Sequence, residues 1–224
     1  MTRRGALFLL TFSTGVVDAV SYLGLGHVFT ANMTGNVALL GFTVARVPGL
    51  SAARSTLSLA AFLLGAVLGG QLARRMGSSD ENRWLRTAFI WEGGLLLLAA
   101  MSSVWNGEFR SDDSPAIYAL IAITAVAMGI RNSTVRKLAV PDLTTTVLTL
   151  TVTGLAADSS LAGGTNPRWA TRLMATVTLF VGAAIGALLL KQSLAAPMFL
   201  SSVVAFGCAT AMYLAPEPAL RSKT

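Results

Sequence analysis

The stretch GLGHVFTANMTGNVALLG, residues Gly24 to Gly41, decides how this chain folds. It lies in a strongly apolar region, yet it contains one histidine, two asparagines, two threonines and four glycines. In hydrocarbon every backbone N–H and C=O must be hydrogen-bonded within the protein, so irregular polar backbone survives only where it is buried or lines a cavity. The stretch therefore predicts a polar segment inside a membrane protein and is the main candidate for a binding site.

The composition around this stretch is that of an integral membrane protein. The chain has 224 residues, of which 54% are hydrophobic and 12% charged, and its mean hydropathy is +0.65. A soluble domain carries about 25% charged residues. Several apolar runs have about the twenty residues that a helix needs to cross the hydrocarbon core. We predict an all-α protein that is a single membrane domain over residues 1–224.

Charge and rare residues exclude several classes of function. The net charge is +7, but the basic residues stand at the ends of the apolar runs, where they orient helices and meet anionic lipid headgroups. Nucleic acid is therefore not an expected partner. One histidine and one cysteine give no basis for a metal site or another cofactor, and no motif typical of an enzyme is present.

A second polar stretch, VPDLTTTVLTLTVTG at Val140 to Gly154, interrupts the apolar pattern later in the chain. Both halves show one long apolar run, a short polar stretch and two further long runs. Adding 114 to a residue number superposes the halves and predicts internal repeats at 1–106 and 115–224, although two GxxxG pairs miss this register by three residues. The register aligns Gly15 with Gly129, Asp18 with Asn132, Thr30 with Thr144, Arg54 with Arg168 and Gly93 with Gly207.

The distribution of basic residues predicts the topology. If the short segments 28–45 and 142–156 do not cross the membrane, each half has three spans and the halves are inverted relative to each other. The inner side then holds 13 of the 17 basic residues, in agreement with the positive-inside rule. We expect about six spans in a bacterial inner membrane, with both termini cytoplasmic. Whether the short segments are half-helices or extended stays open.

Polar residues within the apolar runs are the candidate site residues. Asp18 lies on one face of the first span with Thr11, Thr14 and Ser21, and Glu92 is the second intramembrane carboxylate. Both are candidates for proton coupling, and Glu92 could equally be a hydrogen-bond partner between helices. The predicted substrate-binding residues are Asp18, Asn32, Thr34, Gly35, Asn36, Asn132, Thr145 and Thr149.

Several of these residues have a structural alternative. The group from Asn32 to Asn36 can cap a half-helix or direct free N–H groups at a ligand. Arg131 is expected to extend to the inner surface, the alternative being an anion ligand near the middle of the membrane. His27 is expected at a helix end near the membrane surface.

Two long segments resemble the bacterial YoaK-type family of small inner-membrane proteins, which is catalogued as a domain of unknown function. They are GVVDAVSYLGLGHVFTANMTGNVALLG, from Gly15 to Gly41, and RNSTVRKLAVPDLTTTVLTLTVTG, from Arg131 to Gly154. The resemblance covers essentially the whole chain and implies an integral membrane protein of about six helices. It supplies no substrate and no catalytic residues.

These observations together predict a small secondary transporter for a small polar or anionic solute, because inverted repeats with short interrupted segments at matching positions are typical of such proteins. Besides the solute, the lipid bilayer is the expected partner, and a homodimer stays open. The alternatives are a membrane scaffold that transports nothing and a channel formed by a homo-oligomer.

Overall fold

The computed structural model describes residues 3–77, 80–105, 114–139 and 148–214, and every regular element in these ranges is helical. A π-helical turn, Val20–Gly24, extends the first helix, and a short 3₁₀ turn, Ser160–Ala162, follows the sixth. The α-helices are α1 (Arg3–Ala19), α2 (Met33–Val44), α3 (Ala52–Met76), α4 (Glu81–Trp105), α5 (Pro115–Leu138), α6 (Leu148–Ala157), α7 (Trp169–Leu190) and α8 (Ala195–Leu214).

Six of these helices are long and apolar enough to cross a membrane: α1 with its π turn, α3, α4, α5, α7 and α8. The expected all-α membrane architecture with about six spans is confirmed. The other two, α2 with 12 residues and α6 with 10, are too short to span a bilayer as helices. Each short polar segment is thus helical in part: α2 covers 33–44, whereas 28–32 are irregular, and α6 begins at 148, whereas residues 140–147 lie outside the described ranges.

Two buried apolar clusters mark opposite ends of the helix bundle. One cluster combines the N-terminal halves of α1, α4 and α7 with the C-terminal halves of α3, α5 and α8. The other combines the C-terminal ends of α1 and α4 with the N-terminal ends of α3, α5 and α8. The six long helices therefore alternate in direction along the chain, and α5 runs antiparallel to α1.

We call the first of these ends the basic end, because most of the basic side chains of the described residues are found there. The other end is called the opposite end and has few of them. The basic end carries Arg4, Arg74, Arg75, Arg83, Arg86, Arg136, Lys137, Arg168 and Arg172.

Neither short helix carries the chain across the bundle. Leu25, before α2, and Leu57, after it, both pack at the opposite end. At the basic end, Arg172 in the first turn of α7 donates to the Gly154 carbonyl of α6 at 2.5 Å and pairs with Asp158 at 2.7 Å. The two short helices thus belong to opposite ends of the bundle.

Glycines allow the closest helix contacts, which are α1 against α7 and α3 against α5. A Cβ on Gly182 would overlap the Phe12 carbonyl oxygen, and one on Gly65 would overlap the Val126 carbonyl oxygen. Phe12 and Val126 are 114 residues apart. The two GxxxG pairs, which miss the 114-residue register by three positions, therefore contact equivalent positions of the two halves. The inverted duplication itself stays a prediction.

Replacing Gly65 with alanine should destabilise the protein by about 1–3 kcal/mol, the usual cost of inserting a methyl group into a packed contact. Gly70 lies on the same helix with open space around its Cα, so Gly70→Ala is the matched control. Thermal unfolding in detergent should show a lower melting temperature for Gly65→Ala alone. Equal melting temperatures for both variants would contradict the close α3–α5 contact.

Candidate functional site

A fully buried guanidinium lies at the centre of the bundle. Arg131 of α5 forms an ion pair with Glu92 of α4, and neither side chain is exposed. Its Nε donates to Glu92 Oε1 at 2.9 Å, and its Nη2 donates to the same oxygen. The remaining N–H groups donate to α1: Nη1 to the Leu10 carbonyl at 3.1 Å and Thr14 Oγ1 at 3.0 Å, and Nη2 to Ser13 Oγ at 2.8 Å. One side chain therefore joins three helices.

The expectation that Arg131 extends to the inner surface is wrong. Helix α5 continues to Leu138, so Arg131 lies seven residues, or about 10 Å, before its end. Partners on two other helices satisfy the guanidinium where it is, which makes burial of its charge tolerable. Glu92 joins α4 to α5 through Arg131, which agrees with the second interpretation offered for it, a hydrogen-bond partner between helices. Its role in proton coupling stays a prediction.

Asp18 lies close to this ion pair, one helical turn beyond Thr14 on α1. Thr14 itself accepts a hydrogen bond from Arg131 Nη1 at 3.0 Å. Within the described ranges, Asp18 Oδ1 and Glu92 Oε2 are buried without a hydrogen-bond partner. The centre thus contains one guanidinium and two carboxyl groups, and each carboxyl group has one buried oxygen without a partner among the described residues.

The polar residues at the start of α2 are used to fold their own segment. Asn32 caps α2 by accepting the Gly35 N–H at 3.2 Å. The buried Asn36 accepts the Phe29 N–H at 2.9 Å and donates to the Phe29 carbonyl at 2.5 Å and to Ser58 Oγ at 3.2 Å. These bonds attach the loop before α2 to α3, which is the structural alternative for these two asparagines.

The other predicted residues differ in their surroundings. Asn132, next to Arg131, donates to the Met128 carbonyl of its own helix at 2.8 Å. Thr34 and Thr149 are exposed on α2 and α6, and Thr145 lies outside the described residues. His27 is exposed at the turn after the first span, with its ring 5.2 Å from that of Tyr22, as expected for a helix-end position.

The sequence missed two partners: Ser13, which accepts from Arg131 in the centre, and Ser58, which bonds Asn36 near α2. Ser13 was not distinguished from other small polar residues of the first span, and Ser58 appeared to be an ordinary residue of the second. Thr14 belonged to the predicted polar face of α1, but its contact with Arg131 spans 117 positions. Only the packing of α1 against α5 reveals that contact.

The comparisons with known proteins agree with this architecture. The family described as "Protein of unknown function (DUF1275)" matches residues 6–212. The chain belongs to this family. It is also 31% identical over 161 residues to the UPF0700 transmembrane protein YoaK of Bacillus subtilis (strain 168), which covers 70% of this chain and 68% of the relative. No solved structure matches. The resemblance to the YoaK-type family is confirmed, and with the six apolar helices it identifies a multi-pass membrane protein.

Removing one partner of the central ion pair should be strongly destabilising. Glu92→Ala leaves the buried charge of Arg131 unpaired, which typically costs about 3–5 kcal/mol. The double variant Glu92→Leu with Arg131→Met removes both charges and should lose less stability than Glu92→Ala alone. Unfolding of the three proteins in detergent measures the coupling, and an unchanged stability of Glu92→Ala would contradict the buried pair.

A second pair of variants tests the role of the segment before α2. Asn36→Ala removes the partner of both backbone groups of Phe29 and should cost about 1–3 kcal/mol of unfolding free energy. Thr34→Ala, two positions away on the exposed side, should change the stability by less than about 0.5 kcal/mol. Equal effects of the two substitutions on thermal unfolding would refute the structural role of Asn36.

Proposed function

We propose that this protein is a small secondary transporter that moves a small polar or anionic solute through the bundle, coupled to protons by Asp18 or Glu92. The observation that carries the proposal is the central group of one guanidinium and two carboxyl groups with unpartnered buried oxygens. Ionisable residues inside a membrane protein are costly and are a functional hypothesis by default. The hydrogen bonds of this cluster join three helices, so a movement of one helix relative to the others would change them.

The charges of this group suggest how coupling would work. Arg131 and Glu92 neutralise each other, so an ionised Asp18 leaves the centre with one excess negative charge. Uptake of a proton at either carboxyl group removes a negative charge from the surroundings of Arg131. The guanidinium then becomes able to hold an anionic group of a solute in place of Glu92. Proton and anion would enter together, and the net charge of the buried centre would be the same before and after binding.

The arrangement of the short helices supports the same proposal. Helix α2 shifted by 114 positions covers 147–158, which coincides with α6 at 148–157, and the two lie at opposite ends of the bundle. Short polar segments at matching positions of inverted repeats accompany binding sites of secondary transporters near the middle of the membrane. The Asn32 cap marks the N-terminal end of α2, where a helix dipole favours an anion.

The basic residues support an orientation in the membrane. We infer that the basic end faces the cytoplasm of a bacterial cell, because cytoplasmic loops carry an excess of Lys and Arg. Helix α1 begins at this end and α8 finishes there, so both termini would be cytoplasmic. The membrane would be the inner one.

One observation favours a second candidate, a scaffold that transports nothing. Asn32, Asn36 and the guanidinium of Arg131 all donate to or accept from groups of the protein itself. Such bonds would fix the helices even if no solute ever entered. The scaffold gives no role to the buried oxygens of Asp18 and Glu92 that have no partner among the described residues.

Proton uptake into proteoliposomes tests the transporter proposal. Vesicles loaded with the pH-sensitive dye pyranine and containing wild-type protein should acidify inside when a suitable member of a panel of small organic anions is added outside. Asp18→Asn should abolish most of that signal, because the amide cannot exchange a proton. Asp80→Asn is the matched control, since Asp80 lies before α4 and outside the six long helices, and an asparagine there can still accept the Arg83 N–H. This variant should retain the signal.

The stability of the variants separates the two candidates. Under the transporter proposal Asp18→Asn melts near the wild-type temperature and yet transports poorly. If no solute of the panel produces flux with wild type, and Asp18→Asn lowers the melting temperature strongly, the scaffold replaces the transporter.

A further inference from the structure

A groove lies between α4 and α8 on the outer surface of the bundle. Its volume is about 420 Å³, and its walls are almost entirely apolar. It is separate from the central ion pair and plays no part in the proposed transport. The residues that line it are Arg86, Ile90, Phe206, Ala209, Thr210 and Tyr213.

One cation marks the basic end of this groove. The Arg86 guanidinium carbon lies 5.2 Å from the centre of the Tyr213 ring, an arrangement typical of a cation–π contact. Among the described residues, Arg86 forms no ion pair. Its positive charge is therefore held in a fixed place by an aromatic ring, and its outer N–H groups can still donate to an anion.

The rest of the groove extends toward the middle of the bundle. Ile90 is one helical turn deeper than Arg86 along α4, and Phe206 precedes Tyr213 by seven residues, or about 10 Å, along α8. The ring of Phe206 lies where a side chain on Gly93 would otherwise stand, which fixes the floor. The groove thus has a positive charge at its end near the membrane surface and is apolar along the part that faces the lipid tails.

We propose that this groove binds one anionic phospholipid, with the phosphate on Arg86 and an acyl chain along Ile90 and Phe206. The apolar floor selects a ligand with a hydrocarbon chain, because a free anion in water gains nothing from it. The Arg86 guanidinium, which has no ion-pair partner among the described residues, selects a negative headgroup over one without net charge.

The opposite end of the same helix pair lacks these features. In the register of 114, Leu200 stands for Arg86 and Ala99 stands for Tyr213, so neither the cation nor the ring has a counterpart. The site is consequently restricted to one end of the α4–α8 pair. That end carries most of the positive charge of the described helices, which concentrates anionic lipid around the groove.

Native mass spectrometry of the purified full-length chain tests the site. Phosphatidylglycerol or phosphatidylethanolamine is added at the same concentration to the protein in detergent, and retained lipid is counted. Wild type should retain one phosphatidylglycerol in preference to phosphatidylethanolamine. Arg86→Gln should lower that retention about fivefold, the effect of one basic residue at a lipid surface. Arg83→Gln removes an exposed arginine of the same helix that does not line the groove and should retain the lipid.

A second variant fills the groove without changing its charge. Thr210 is exposed on the groove wall, and Thr210→Trp should displace the lipid while Arg86 remains. Equal retention of both lipids by wild type, or equal loss in Arg86→Gln and Arg83→Gln, would overturn the proposal. So would inorganic phosphate that competes the lipid away at equal concentration, because the acyl chain would then contribute nothing. Melting temperatures near that of wild type ensure that each variant is folded.

Discussion

The fold depends on one buried guanidinium. Arg131 uses its N–H groups on Glu92 of α4 and on three oxygens of α1, and so fixes the three helices at one depth. A charge of this kind has no alternative partner in hydrocarbon, and an unpaired one would cost several kcal/mol. Another register between α1, α4 and α5 would separate the guanidinium from these partners, so we infer that the pairing contributes to the specificity of the fold.

Around this centre the polar groups divide into two kinds. Those near α2 are consumed by local structure: Asn36 satisfies both backbone groups of Phe29 and reaches Ser58. Those near the middle are not consumed, because Asp18 and Glu92 each retain a buried oxygen that the described residues leave without a partner. The conspicuous asparagines of the sequence thus hold the segment before α2 in place, and the carboxyl groups beside Arg131 remain the candidates for the proposed proton coupling.

The outer surface is also divided. The exposed side chains of α7 are all apolar, as expected for contact with lipid tails. The α4–α8 face differs, since Arg86 and Tyr213 place a cation above an apolar groove at the basic end. The two helices that form this groove also meet the central region, through Glu92 on α4 and through Ser202 of α8, which donates to the Gly93 carbonyl at 2.8 Å. Helix α4 therefore carries both Arg86, at the surface groove, and Glu92, in the central ion pair.

The sequence by itself determined the membrane class, the six spans and the presence of two short polar segments, because span length and hydropathy are local properties of the chain. It left open whether those segments are helical. It also indicated Asp18 and Glu92, since any carboxylate in an apolar run stands out. It could not determine the place of Arg131: near the end of an apolar run, such a residue usually reaches the surface. Only the tertiary structure decided otherwise, by bringing Glu92 and Ser13, 39 and 118 positions away, within hydrogen-bond distance. A charge is buried where distant partners satisfy it, and their positions follow from helix packing.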